Sequence, residues 1–368
     1  MKDIDKYRGC LIGGAVGDAL GYAVEFLQDY QIFQRYGEQG ITEYSLIDGV
    51  AQISDDTQMT LFTANGLLVG TTRGMNRGIM AEYPHYIRCS YKDWLLTQGA
   101  EQFGREQQHS SWLNNIDELN HSREPGRTCI SAIMNGCNGT IAEPINHSKG
   151  CGGVMRVAPI GLYFENKNYT INEIDMIGAE TAALTHGHEL GYIPAAALVH
   201  IIHLVSHNPD ITLLEAVIDA KKGVSVLFKN CAHISELMSL LDKAIELSKM
   251  DVDDLEAIRD LGEGWVAEET LAIAVYCVLK YSNNFEKAII ASVNHSGDSD
   301  STGAVTGNIL GAYLGLSAIP QKFLEKLELK SIITEIADDL YNDCQMSEYN
   351  PYFDKTRAQK YINYTYKK

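Results

Sequence analysis

The chain has 368 residues, 45% of them hydrophobic, which is enough to bury a large core as one large domain or two ordinary ones. Lys and Arg total 30 against 48 for Asp and Glu, a formal net charge of -18, and so acidic a surface argues against non-specific binding to nucleic acid or to an anionic membrane. The eight cysteines include no C-x-x-C pair, so a zinc ribbon or a thioredoxin-type motif is not expected; the reading is reduced, buried thiols in a cytoplasmic protein. The N-terminal stretch carries Asp3 and Asp5 and no long apolar segment of the signal-peptide kind, and no run approaches the roughly 18 apolar residues of a membrane span.

Helical periodicity dominates the chain. It predicts helices over about 4–20, 56–70, 128–140, 173–185, 192–207, 212–222, 234–248, 268–281, 285–293, 301–315, 321–328 and 331–341. Alternating strand patterns are scarce and no Pro/Gly/Ser-rich linker divides the chain, so the expected fold is all-α, one compact domain of orthogonally packed helices. Two stretches read as additions. Residues 71–127 form a variable insertion, polar with scattered aromatics (Tyr83, Tyr86, Tyr91, Trp94, Trp112), and 342–368 form an extension with five tyrosines and a basic end. Each is either a rim over a cleft, an oligomer contact or a solvated excursion.

Glycine recurs every four residues in two places, at Gly9, Gly13, Gly17 and Gly21 and at Gly303, Gly307, Gly311 and Gly315. Glycine disfavours a helix interior by about 1 kcal/mol relative to alanine, so such a series needs a compensating benefit. Residues four apart form a ridge along a helix, and a glycine ridge admits another backbone. Both segments are therefore expected to be central, tightly packed helices, the alternative being that the first is partly a loop.

Ser54-Asp55-Asp56-Thr57 precedes one apolar-periodic helix, and Asp298-Ser299-Asp300-Ser301-Thr302 precedes another. Each alone reads first as a helix cap, because these side chains accept backbone N–H groups and acids suit the positive end of the helix dipole. Together they hold more acid than capping needs. Four converging carboxylates would repel one another unless cations bridged them, and an all-oxygen set suits Mg²⁺, Mn²⁺ or Ca²⁺ and not zinc. Gly150–Gly153 is a glycine-rich stretch able to cradle a pyrophosphate, with a simple turn as the alternative. His188-Glu189 is not an H-E-x-x-H motif, since position 192 is Tyr, and His200, His203 and His207 read as surface or core residues of an apolar helix.

Arg8-Gly9-Cys10-Leu11-Ile12-Gly13-Gly14-Ala15-Val16-Gly17-Asp18-Ala19-Leu20-Gly21, followed by Glu25, resembles the opening of ADP-ribosylglycohydrolases. Ser54-Asp55-Asp56-Thr57, Gly150-Cys151-Gly152-Gly153-Val154-Met155-Arg156, Thr185-His186 and Gly297-Asp298-Ser299-Asp300-Ser301 resemble that family's later motifs, in the same order. The resemblance spans roughly residues 5–340, with 71–127 its least matched part, and makes 1–341 the expected catalytic domain. It implies a binuclear centre of two divalent cations, Mg²⁺ or Mn²⁺, held by Ser54, Asp55, Asp56, Asp298, Asp300 and Ser301. Many relatives carry Thr where Ser54 stands, and both offer a hydroxyl. Glu25 falls where relatives carry a carboxylate near the metals, and Asp55, Asp56 and Glu25 are the expected catalytic acids and bases. The same resemblance implies substrate contacts from Gly150, Gly152, Gly153, Val154, Met155, His186 and the segment of Trp265, Glu268 and Glu269, of which at most one of the two adjacent glutamates faces the cleft. Arg156 adds charge there or serves as an ion-pair partner.

The implied activity is hydrolysis of an ADP-ribosyl modification, with ADP-ribosylated protein and ADP-ribose as partners and arginine as the leading linkage. Serine-linked or O-acetyl-linked ADP-ribose is the rival within the enzyme class. A prenyl-diphosphate enzyme fits poorly, because Asp55-Asp56 does not begin a D-D-x-x-D motif. A non-catalytic ADP-ribose binder would have little need for intact acids in both motifs.

Overall fold

The computed structural model describes residues 2–99, 111–165, 167–344 and 354–362. Among these the regular structure is helical. In chain order the helices are α1 (Ile4–Tyr22), α2 (Asp29–Tyr36), α3 (Asp55–Arg77), α4 (Tyr83–Thr97), α5 (Arg127–Met134), α6 (Ala158–Tyr163), α7 (Ile171–Ala183), α8 (Glu189–His207), α9 (Leu213–Leu227), α10 (Ile234–Leu247), α11 (Asp254–Leu261), α12 (Ala267–Lys280), α13 (Phe285–Val293), α14 (Ser299–Leu314), α15 (Gln321–Leu324), α16 (Lys330–Asn342) and α17 (Lys355–Tyr361). No strand forms among the described residues, only isolated bridges such as Ala51 to Leu327 and Gly150 to Val266. The all-α expectation holds.

Helix ends depart from expectation where the chemistry of single residues decides them. α3 runs past residue 70 and stops at Gly78, which takes the left-handed conformation at φ 69° and donates its N–H to Gly74 O. α5 stops at Met134 and not near residue 140, because Gly136 (φ 104°) and Cys137 (φ 55°) turn the chain. α15 ends at Leu324 because the chain straightens to bridge Ala51. The periodicity gave no sign of α2, α4, α6, α11 or α17, which are short or only weakly amphipathic.

The two glycine series face each other. α1 is helical throughout, so no part of the first series is a loop. A Cβ placed on Gly9, Gly13, Gly17 or Gly21 would overlap the backbone carbonyl of Gly311, Gly307, Gly303 or Ser299 respectively, and one on Gly303 would stand 2.5 Å from Gly17 O. Partner numbers fall as the α1 numbers rise, so the helices run antiparallel with their backbones in contact. Gly315 departs from the series: it ends α14 at φ 86°, where the Asp5 carboxylate lies against it. Asn308 reaches across the seam, fills the space over Gly14 and donates to Cys10 O at 2.9 Å.

The stretch read as an insertion contributes α4 to this core. Gly66 and Gly70 of α3 let it approach so closely that a Cβ on Gly66 would stand 2.6 Å from Ile87 Cα. Tyr83, Tyr91 and Trp94 are buried, and Trp94 Nε1 donates to Gln58 Oε1 at 3.0 Å. α8 is the one described helix long and apolar enough to cross a membrane, and most of it is buried inside the protein. His200 on α8 is fully buried; its Nδ1 lies 2.8 Å from Asp175 Oδ2 on α7 and its Nε2 lies 3.0 Å from Asp219 Oδ1 on α9, which pins the three helices.

Two outcomes follow for stability. Gly307→Ala puts a methyl against backbone that no rotamer change can move, and is expected to cost about 2–3 kcal/mol, read as a lower urea midpoint at unchanged slope; Gly307→Leu should cost more. His200→Leu strands buried Asp175 and is expected to cost about 3–5 kcal/mol. The hydrogen bonds and charges of Asp175 and Asp219 outweigh burial and raise the His200 pKa above 6.5. A raised pKa contributes stability that is complete below the unfolded value and fades as pH rises through the folded one, so the gap between wild type and His200→Leu should narrow above neutrality in urea titrations.

Candidate active site

The α1–α14 seam brings the C-terminal end of α1 to the N-terminal end of α14, and there the acids meet. Asp55 and Asp56 open the first turn of α3, Asp298 caps α14, Asp300 lies in its first turn, and Glu25 follows α1. All five are buried. Carboxylate oxygens of Glu25, Asp298 and Asp300 lie within 4.8 Å of one another. Together with Asp55, Asp56 and Ser301 they line a cleft of about 220 Å³, whose walls include Glu124, Gly126, Arg127, Thr128, Cys129, Gly150–Gly152, Met155, His186 and Trp265. A larger groove of about 590 Å³, lined by Phe33, Asp254 and Tyr281 among others, contains none of the motif residues.

Asp18 organises this arrangement, and the sequence reading gave it no role. It is fully buried on α1, and its carboxylate accepts the Ser54 N–H at 2.9 Å, the Thr57 N–H at 3.1 Å and the Thr57 hydroxyl. It thus caps α3 from another helix and satisfies donors that a helix start leaves open. Ser54 caps in the ordinary way, accepting from Asp56 N at 3.2 Å, and also hydrogen-bonds the Asp300 carboxylate. Asp55 is fastened by the 123–126 turn: its N–H donates to Arg123 O at 3.1 Å, and Gly126 N–H approaches its Oδ2 at 3.4 Å. The Gly17-Asp18 pair inside the first motif and the Pro125-Gly126 turn were the sequence signals available for these.

Crowding of buried acids shows in their protonation. Burial, with the Asp300 charge next, pushes Asp18 up to about 7 and Glu25 up to about 11, and lifts Asp55, Asp56 and Asp298 well above the carboxylate range. Burial raises Asp300 as well, against hydrogen bonds from Asp298 and Ser54 that lower it. Glu25 Oε2 and Asp56 Oδ2 are buried without a hydrogen-bond partner. Orphaned, inward-facing carboxylate oxygens in an all-oxygen set fit hard divalent cations of the Mg²⁺ or Mn²⁺ kind.

The expected substrate contacts divide. Gly150, Gly152, Met155, His186 and Trp265 line the cleft. Gly152 leaves room for two side chains: a Cβ there would lie 2.7 Å from Cys129 Sγ and 2.9 Å from His186 Cε1 and would displace one of them. Gly153 and Val154 are buried and do not line the cleft, the N–H groups of Cys151, Val154 and Met155 bond Trp265 O or Cys151 O, and the Gly150 N–H donates to Ser148 Oγ at 3.4 Å, so of the cleft-lining amides in this strip only that of Gly152 is uncommitted to a protein acceptor. Glu268 and Glu269 do not line the cleft. Glu268 is paired with Lys149, and Glu269 Oε2 accepts the Glu263 and Gly264 N–H groups at 3.0 and 3.1 Å, holding the turn before Trp265. Glu269 belongs to the scaffold of that turn, and Glu268 is held by Lys149, next to the glycine strip. Trp265 itself is 40% exposed and stacks with Phe26, ring centroids 6.2 Å apart and planes 22° apart. His188 caps α8 by accepting Leu190 N–H at 3.1 Å. Arg156 is no ion-pair partner: it is buried over the Tyr91 ring with no carboxylate against it among the described residues.

Fold and site define an all-helical protein with a buried carboxylate centre at the mouths of two helices, of the kind that holds divalent cations. The family model described as ADP-ribosylglycohydrolase matches residues 1–350, and the chain belongs to that family. It is 26% identical to "ADP-ribosylhydrolase ARH3" of Danio rerio, over 94% of this chain and 93% of the relative. It is 23% identical to "ADP-ribosylarginine hydrolase Tri1" of Pseudomonas putida (strain GB-1), over 92% of this chain and 78% of the relative. The same fold appears in a solved structure titled "ADP-ribosylglycohydrolase-related protein complex", with a TM-score of 0.53 at 23% identity, covering 92% of this chain and 98% of that one.

Acids whose folded pKa is raised bind extra protons in the native state, so stability falls as pH climbs from the unfolded value near 4 through the folded values. In EDTA, the melting temperature is therefore expected to drop between about pH 5 and 8, and millimolar Mg²⁺ or Mn²⁺ should restore it. Asp300→Asn should melt higher than wild type in EDTA and gain less from the cation, a crossover that differential scanning fluorimetry would register.

Proposed function

We propose that the protein is a divalent-cation-dependent hydrolase that removes ADP-ribose from modified protein, with arginine as the linkage. The observation that carries this is the convergence of Glu25, Asp55, Asp56, Asp298 and Asp300, two of them with orphaned oxygens, on a cleft walled by the glycine strip and His186. Ser54, Asp55, Asp56, Asp298, Asp300 and Ser301 would hold two cations, Mg²⁺ or Mn²⁺, which supply anchorage for ribose hydroxyls and a water of lowered pKa. Glu25 is free of such tethers and stands beside Asp298 and Asp300; its carboxyl, raised so that it holds a proton, is placed to give that proton to the leaving group. Asp18 keeps the α3 acids in register.

The arginine reading rests on the cleft mouth. Glu124 lines it in a left-handed conformation at φ 52°, which turns the chain at Pro125, and Phe26 with Trp265 forms an aromatic plate beside Glu25. A guanidinium is planar and cationic: carboxylates accept its donors and an aromatic face stacks on it. A serine or acetyl leaving group carries no positive charge for Glu124 to meet.

A panel of arginine-, serine- and acetyl-linked ADP-ribose, with and without Mg²⁺ and Mn²⁺, tests the assignment. Cation-dependent release from arginine is expected, with Asp56→Ala abolishing turnover on an intact fold. Glu124→Gln is expected to lower kcat/KM on the arginine substrate about tenfold and to leave the acetyl substrate nearly unchanged. Efficient cleavage of the serine linkage with none of the arginine linkage would overturn the linkage and leave the cation centre standing.

A further inference from the structure

Behind the glycine strip lies a chain of hydrogen bonds that starts from a buried charge. Arg156 is fully buried, and no carboxylate touches it among the described residues. Its guanidinium sits 4.5 Å from the Tyr91 ring centroid and donates to Thr181 O at 3.3 Å, Cys129 Sγ at 3.4 Å, Met59 Sδ at 3.6 Å and Thr185 Oγ1 at 2.6 Å. Thr185 Oγ1 lies in turn 2.8 Å from His186 Nδ1.

The direction of this chain is set by what each group can do. A guanidinium has donors only, so Thr185 accepts from it and has one proton left to give. The near acceptor for that proton is His186 Nδ1; Ala182 O stands farther off at 3.5 Å. With Nδ1 accepting, the ring proton belongs on Nε2. Nε2 faces the strip, 3.4 Å from where a Cβ on Gly150 would be and 3.2 Å from one on Gly152, and it has no acceptor among the described residues. Burial and then the Arg156 charge hold His186 down to about 3, so the ring is neutral at physiological pH.

We propose that Arg156 and Thr185 are positioning residues that lock His186 as a neutral imidazole with its proton on Nε2, and that this N–H donates to an anionic oxygen of the substrate's diphosphate beside Gly150–Gly152. The second half rests on reading the cleft as an ADP-ribose site; the first does not. The opposite tautomer would turn a lone pair towards that oxygen and repel it. Arg156 thereby contributes to anion binding without reaching the cleft, which accounts for a buried guanidinium with no acid to pair with.

Long-range proton–nitrogen NMR on the Mg²⁺-loaded protein reads the tautomer directly. Wild type and Thr185→Ser are expected to show His186 protonated at Nε2, and Thr185→Val to lose that preference. By calorimetry Thr185→Val should bind ADP-ribose about tenfold more weakly, the scale of one hydrogen bond to a charged group, with Thr185→Ser restoring most of the affinity. A wild-type spectrum with the proton on Nδ1 would overturn the relay, and it needs no variant to fold. Unchanged affinity in Thr185→Val with an altered tautomer would overturn the anion-donor half. If wild type fails to bind ADP-ribose, the functional reading and that half fall together, while the spectrum still decides the relay.

Discussion

Backbone carbonyls of α14 occupy the space where side chains of α1 would otherwise stand, and the rest of the site depends on that contact. Two helices with side chains on their facing ridges pack with axes 8–10 Å apart. Stripping those side chains at Gly9, Gly13 and Gly17 and at Gly303, Gly307 and Gly311 brings them closer and fixes their register residue by residue. That register places Gly21 against Ser299, so the acids at the end of α1 meet those at the start of α14. A slip of one turn along the seam would separate Asp18 and Glu25 from Asp298 and Asp300 by about 5.4 Å.

The same constraint concentrates negative charge. Asp18, Glu25, Asp55, Asp56, Asp298 and Asp300 are all buried in one region, and helix starts and backbone donors compensate only part of the cost. Left without cations, the centre keeps some acids protonated. The site is thus a local loss of stability that the well-packed seam beneath it tolerates, and it is a ready receptor for positive charge.

The rest of the cleft lining has a different character. The Gly150–Gly152 strip, Arg127 and His186 form it with few acids, the Gly152 amide is uncommitted, and Arg156 is linked to His186 through Thr185. Many of the groups that line the cleft or support its walls come from turns: the residues after α1, 123–126, 150–152 and 262–265. Each turn is tied to a neighbour, as Cys151 N–H is to Trp265 O and Asp298 N–H to Glu263 O.

Local sequence by itself determined the helices with strong periodicity, the caps at Ser54 and Asp298, the carboxylate motifs and the two glycine ridges, because each is written within one turn or two of helix. It also supported the family, whose motifs occur in order. What it could not determine was any pairing across the chain. That Glu268 and Glu269 serve Lys149 and a turn, that His188 is a cap, that His200 clamps three helices and that Arg156 leans on Tyr91 all depend on partners far away in sequence. The 83–97 segment looked like an excursion because its apolar face is mostly aromatic and punctuated by charge; burial of Tyr91 and Trp94 against α3 became possible only once Gly66 and Gly70 cleared the space. Asp18 reads as one more polar residue in a glycine-rich helix until the fold lays the start of α3 across it, and only then does a single carboxylate have three donors to hold.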